Sequence, residues 1–111
     1  MTDSGFVIEI MNRMAPKYLC ESWDNSGLII GRKNTKVSRI LVGLDFTENT
    51  LQEAKLKNCQ MVVTHHPPIF SKLTRINDST PVGRLILNTA KADICVYSAH
   101  TNLDYVKGGT N

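Results

Sequence analysis

Met61-Val62-Val63-Thr64-His65-His66-Pro67-Pro68 joins a short valine-rich run directly to two histidines and two prolines. A four-residue apolar run rich in β-branched side chains suits a buried strand, and the prolines that follow cannot continue its ladder. Upstream, Arg39 to Phe46 (RILVGLDF) is a second β-rich run ending in a polar corner. Between the two, Thr47 predicts an N-cap and Glu48 suits the first turn of a helix running through Asn58. Downstream, Thr80 predicts another N-cap with Pro81 at the first helical position, and Val82, Leu85, Ile86 and Ala90 define its apolar face. Ile94-Cys95-Val96-Tyr97-Ser98 then predicts a third strand, leading into Ala99-His100-Thr101-Asn102-Leu103-Asp104. From residue 39 the order is β-α-β-α-β. Short apolar strands alternating with helices predict an α/β fold, a mostly parallel sheet with right-handed crossover helices.

Before this unit, Phe6, Val7, Ile10, Met11 and Met14 lie at helical spacing within Gly5–Met14, and Pro16 ends the run. Leu28-Ile29-Ile30 is a short apolar strand between polar turns, the second of them through Lys33-Asn34-Thr35. The Ile69–Asp78 stretch is a long loop, and long loops in small domains often carry function.

A chain of 111 residues allows one small domain, residues 1–111. Its hydrophobic fraction of 41% is enough to build a core, which argues against disorder. Its fully apolar runs fall far short of the ~18 residues needed to span a bilayer, and the start lacks the pattern of a secretory leader. Three cysteines, Cys20, Cys59 and Cys95, show no CxxC spacing and are odd in number. Buried free thiols in a reducing, cytoplasmic setting fit them better than a disulfide framework. The net charge is +3, and the densest basic stretch is Arg32, Lys33, Lys36 and Arg39 around a turn. That is too small a patch for a nucleic-acid footprint.

The chemistry lies with the histidines. The chain has three, His65, His66 and His100, and all follow the C-terminal ends of predicted strands. In a parallel sheet those ends form one rim, where open α/β proteins bind ligands. Asp104 follows His100 by four residues, and Asp45 ends the first strand of the series. Asp45 reads equally as a rim carboxylate or as a turn residue beside a helix. Imidazole and carboxylate together suit zinc, iron or manganese. Consecutive side chains on extended backbone point to opposite sides, and Pro67 favours extension at His66. Splayed in this way, the two rings would serve two ions, a common arrangement in hydrolytic sites. Other site classes find little support. The chain lacks a GxxxxGK[ST] phosphate loop, a GxGxxG fingerprint and a GxSxG elbow. Asp24 and Asn25 read as turn-formers that can hydrogen-bond a ligating group.

Trp23-Asp24-Asn25-Ser26-Gly27-Leu28, Val63-Thr64-His65-His66-Pro67, and Ser98-Ala99-His100-Thr101-Asn102-Leu103-Asp104 followed by Gly108-Gly109 resemble the Nif-three-like family. Its bacterial members are often labelled GTP cyclohydrolase I type 2 homologues. The resemblance covers nearly the whole chain, with three motifs in order. It implies a dinuclear site for two divalent metal ions in an α/β fold, often assembled as a hexameric ring of dimers. By that resemblance His65 and His66 match the histidine pair that contacts the ions, Asp104 matches an aspartate ligand, and His100 matches a histidine of the same site. Members of the family are roughly twice as long or longer and supply a further histidine and glutamate from a C-terminal segment. The chain therefore resembles an N-terminal fragment of the family fold, with part of the ligand set absent. The implied function is a dinuclear metal-dependent hydrolase, cyclohydrolase-like or phosphoesterase-like, acting on an unspecified small molecule. The alternative is a non-catalytic metal-binding scaffold or regulatory interaction protein.

Overall fold

The computed structural model describes residues 2–14, 25–69 and 71–99. In chain order these form β1 (Thr2–Asp3), α1 (Ser4–Met14), β2 (Gly27–Ile30), β3 (Lys36–Val37), β4 (Ile40–Gly43), α2 (Glu48–Leu56), β5 (Met61–Thr64), α3 (Pro81–Lys91) and β6 (Cys95–Ser98). The main sheet has the order β2-β6-β5-β4. β4, β5 and β6 run parallel, with Gly43 beside Thr64 and Thr64 beside Ser98. This is the β-α-β-α-β unit expected from residue 39 onward. β2 adds to β6 antiparallel, so the sheet is mixed at that edge.

Capping chemistry sets the helix starts. Thr47 accepts a hydrogen bond from the Thr50 amide, and Thr50 accepts one from the Thr47 amide, which closes a capping box on α2. Thr80 accepts from the Gly83 amide at 3.1 Å, with Pro81 at the first helical position of α3. The strand predicted over residues 39–46 is shorter, ending at Gly43, because the chain must turn to reach the Thr47 cap. Phe46 in that turn points into the core.

The sheet carries a core on each face. On one side Leu51 and Ala54 of α2 and Leu85 of α3 pack with Val62, Val96 and Ile30. On the other, Val7, Ile8 and Met11 of α1 pack against Met61, Cys95, Tyr97 and Val37. Alternate residues of β5 and β6 thus serve opposite cores, as pleating requires. All four residues of β6 are buried, the pattern of a strand covered on both faces. In α3 the buried stripe ends on Thr89, while Ala90, expected on that face, is exposed. The Thr89 hydroxyl donates to the Leu85 carbonyl at 2.6 Å, which removes the cost of burying it.

The basic turn serves the fold. β1 and β3 make a small antiparallel ribbon, and the Ser4 and Gly5 amides donate to the carbonyls of Thr35 and Lys33. A side chain at Gly5 would meet the Lys33 oxygen at 2.7 Å, so only glycine permits this approach. Asp3 caps α1 by accepting from the Phe6 amide at 2.9 Å. Gly31, at φ +116, lets the chain leave β2 directly against Cys95. Among the described residues, no helix is long and apolar enough to cross a membrane.

Candidate functional site

The rim at the C-terminal ends of β4, β5 and β6 is built by the sheet ladder running on past the strands. The His65 amide donates to the Gly43 carbonyl at 3.3 Å and the His66 amide to the Leu44 carbonyl at 2.9 Å. The Ala99 amide donates to the Thr64 carbonyl at 3.0 Å. Below these, the hydroxyls of Thr64 and Ser98 meet at 3.0 Å, and both residues are buried. Thr64 also donates to the carbonyl of His66 at 2.9 Å. Ser98 therefore belongs to the floor of the rim rather than to a nucleophilic site. Asn25, ahead of β2, donates from its side chain to the Ile69 carbonyl and so ties that turn to the loop after the prolines.

Each histidine is held through the same ring nitrogen. His65 Nδ1 lies 2.8 Å from the Ala99 carbonyl. A carbonyl can only accept, so Nδ1 carries the proton and, in a neutral ring, Nε2 carries the lone pair. His66 Nδ1 lies 2.6 Å from Asp45 Oδ1, a charge-assisted contact of the same sense when the carboxylate is ionised. Metal-binding histidines are commonly fixed this way, with the distal nitrogen donating to a carbonyl or carboxylate.

The two rings do not splay to opposite sides as the extended-backbone argument predicted. The chain bends at residues 65–66, and the ring centroids are 5.1 Å apart at an interplanar angle of 40°. The donor type and the bonding of each ring through Nδ1 are those of histidines that can present Nε2 to a divalent cation. His100 and Asp104, the other two residues expected to ligate, lie outside the described residues. Among the described residues, no three histidine, cysteine, aspartate or glutamate side chains form a complete metal cage. Sequence reasoning placed Asp45 on the rim but did not pair it with His66. That pairing follows from the β4–β5 register, which brings the residues after Gly43 alongside those after Thr64.

An apolar cleft of about 410 Å³ opens beside His65, lined by Val7, Met11, Ile40, Val42 and Val63, among others.

These features define an α/β protein with a histidine pair on the C-terminal rim of a mainly parallel sheet. A family model described as Duf34/NIF3 (NGG1p interacting factor 3) matches residues 3–111, and the chain belongs to that family. It is 44% identical over 105 residues to the GTP cyclohydrolase 1 type 2 homolog of Clostridium perfringens, covering 95% of this chain and 40% of that protein. It is 37% identical over 106 residues to NIF3-like protein 1 of Drosophila melanogaster, covering 95% and 36%. A crystal structure of a Bacillus cereus protein related to NIF3 superposes with a TM-score of 0.93 at 37% identity, over 99% of this chain and 30% of that one. Reduced HcgD from Methanocaldococcus jannaschii gives 0.89 at 28% identity, over 97% and 43%. The chain spans well under half the length of these relatives.

Proposed function

We propose that this chain supplies the histidine-bearing part of a dinuclear divalent-metal centre, and that the whole protein is a metal-dependent hydrolase. The observation that carries the reading is the histidine pair, two adjacent rings each held through Nδ1 to an acceptor. In this reading His65 and His66 hold zinc, iron or manganese together with His100 and Asp104. Ions bound there supply Lewis acidity toward an oxygen-bearing substrate and its attacking water. The residues on the rim do the rest. Ala99 and Asp45 keep each ring in one tautomer, and the buried Thr64–Ser98 pair keeps the strand ends together. The name GTP cyclohydrolase 1 type 2 homolog carried by bacterial relatives suggests the reaction class to test first. The buried thiols of Cys59 and Cys95 support a reducing, cytoplasmic setting. The reading also takes the whole protein to be a homo-oligomer.

The test is a zinc and manganese titration of metal-free protein against a chelating dye, followed by a panel of GTP, cyclic nucleotide and phosphoester substrates with and without chelator. Tight binding that a His65→Ala/His66→Ala double variant loses, with chelator-sensitive turnover, is the expected result. Equal binding by the double variant and the parent overturns it.

A second reading, a metal-binding scaffold, draws on the family's description as an interacting factor and on the surface of β4. Val42 is 75% exposed and Ile40 41%, apolar side chains on an edge strand. Retained metal without chelator-sensitive turnover favours the scaffold.

A further inference from the structure

We propose that Asp45 is a positioning residue whose carboxylate selects the Nδ1–H tautomer of His66 and so sets which ring nitrogen His66 offers to a cation. The proposal assigns Asp45 a role distinct from that of a ligand. Its metal arm rests on the metal-binding reading above, and its tautomer arm does not.

The geometry makes Asp45 a prepared acceptor. Its Oδ1 stands 2.6 Å from His66 Nδ1, within the short range of charge-assisted bonds. Its backbone is held from both sides. The preceding carbonyl, of Leu44, accepts the His66 amide at 2.9 Å. The carbonyl of Asp45 itself accepts the Thr50 hydroxyl at 3.1 Å, inside the capping box of α2. The side chain therefore starts from a fixed Cα, and little conformational freedom is lost in aiming it at the ring.

The two histidines reach the same tautomer by different means. His65 relies on a backbone carbonyl, that of Ala99, which no substitution of a side chain removes. His66 relies on a side chain from the turn after β4, 21 residues away. Asp45 Oδ1 is the acceptor that His66 Nδ1–H faces, so removing the carboxylate withdraws the bond that favours this tautomer and shifts the balance toward Nε2–H. With the proton on Nε2, the lone pair sits on Nδ1, on the side facing β4. The nitrogen meant for the ion is then protonated, and binding must first move that proton.

The experiment uses the full chain labelled with ¹⁵N at histidine, metal-free, at a pH well above the ordinary histidine range so that the rings are neutral. Long-range proton–nitrogen correlation spectra distinguish the two tautomers by the shifts of Nδ1 and Nε2. The parent should show His66 with Nδ1 protonated. Asp45→Ala should move His66 toward Nε2–H and leave His65 unchanged. Asp45→Asn, near-isosteric but able to turn its NH2 toward Nδ1, should also weaken the Nδ1–H preference. Zinc affinity by dye competition should fall about 10–100-fold in Asp45→Ala, the usual size for losing a hydrogen-bond partner of a ligating histidine. Backbone spectra of the same samples report folding, and Asp45→Asn keeps the tautomer question answerable if Asp45→Ala is unfolded. An unchanged His66 tautomer in a folded Asp45→Ala protein, or in Asp45→Asn where Asp45→Ala is unfolded, overturns the proposal. A tautomer that depends on Asp45 in a protein that binds no zinc supports this positioning role and removes the metal reading instead.

Discussion

The parallel strands of this sheet end in two differently used edges. At the edge where they begin, polar groups serve the chain itself. Gln60 accepts from the Ser38 amide at 2.7 Å, the Ser38 hydroxyl at 3.0 Å and the Arg39 amide at 3.2 Å. Its side-chain nitrogen donates to Asn58 at 2.7 Å, and its backbone bonds to Arg39 and Cys95. At the edge where the strands finish, the backbone is equally well bonded, but the side chains above it are imidazole and carboxylate. His66 and Asp45 remain partly open to solvent while bonded to each other. One edge uses its polar side chains to hold strands in place. The other delegates that task to main-chain bonds and a buried hydroxyl pair, and leaves its imidazole and carboxylate partly exposed above them.

That contrast predicts a separation between stability and ligand binding. The largest effect should come from Gly31→Val at the starting edge. A branched side chain at φ +116, against Cys95 atoms at 2.9 Å, should cost about 3 kcal/mol or more in a urea melt. His66→Ala at the finishing edge should reduce zinc affinity by about 100-fold or more, measured by dye competition, while shifting unfolding free energy by less than about 0.5 kcal/mol. Gln60→Ala strips an acceptor from three donors and should cost about 1–2 kcal/mol with no change in zinc affinity. Smallest, Ser98→Ala removes one buried hydroxyl partner of Thr64 and should cost about 0.5–1 kcal/mol. A Gln60 variant that lost metal while remaining folded would break the contrast. A His66 variant that unfolded would do so from the other side.

The alternation of strand and helix after residue 39 could be read from local chemistry, because apolar runs and the threonine caps at Thr47 and Thr80 are local signals. The antiparallel joining of β2 could not, since strand direction is decided by which neighbour a run meets. The β1–β3 ribbon was equally hidden, because two-residue strands have no periodicity to detect. Thr89 rather than Ala90 takes the last buried position of α3, and its hydroxyl is accommodated there by a carbonyl of its own helix. The location of His65 and His66 on a rim was visible from their place after a strand. Their close approach was not, as it depends on a bend that extended-chain geometry does not anticipate. The Asp45–His66 bond needed the β4–β5 register, which is a property of the assembled sheet.

The hydroxyl of Thr50 links the first turn of α2 to the carbonyl of Asp45. Helix onset and imidazole orientation thereby share a single short segment of polypeptide. Fraying of that turn on warming removes one of the two bonds that hold the Asp45 backbone, so the ring of His66 should lose its fixed attitude before the sheet beneath it melts.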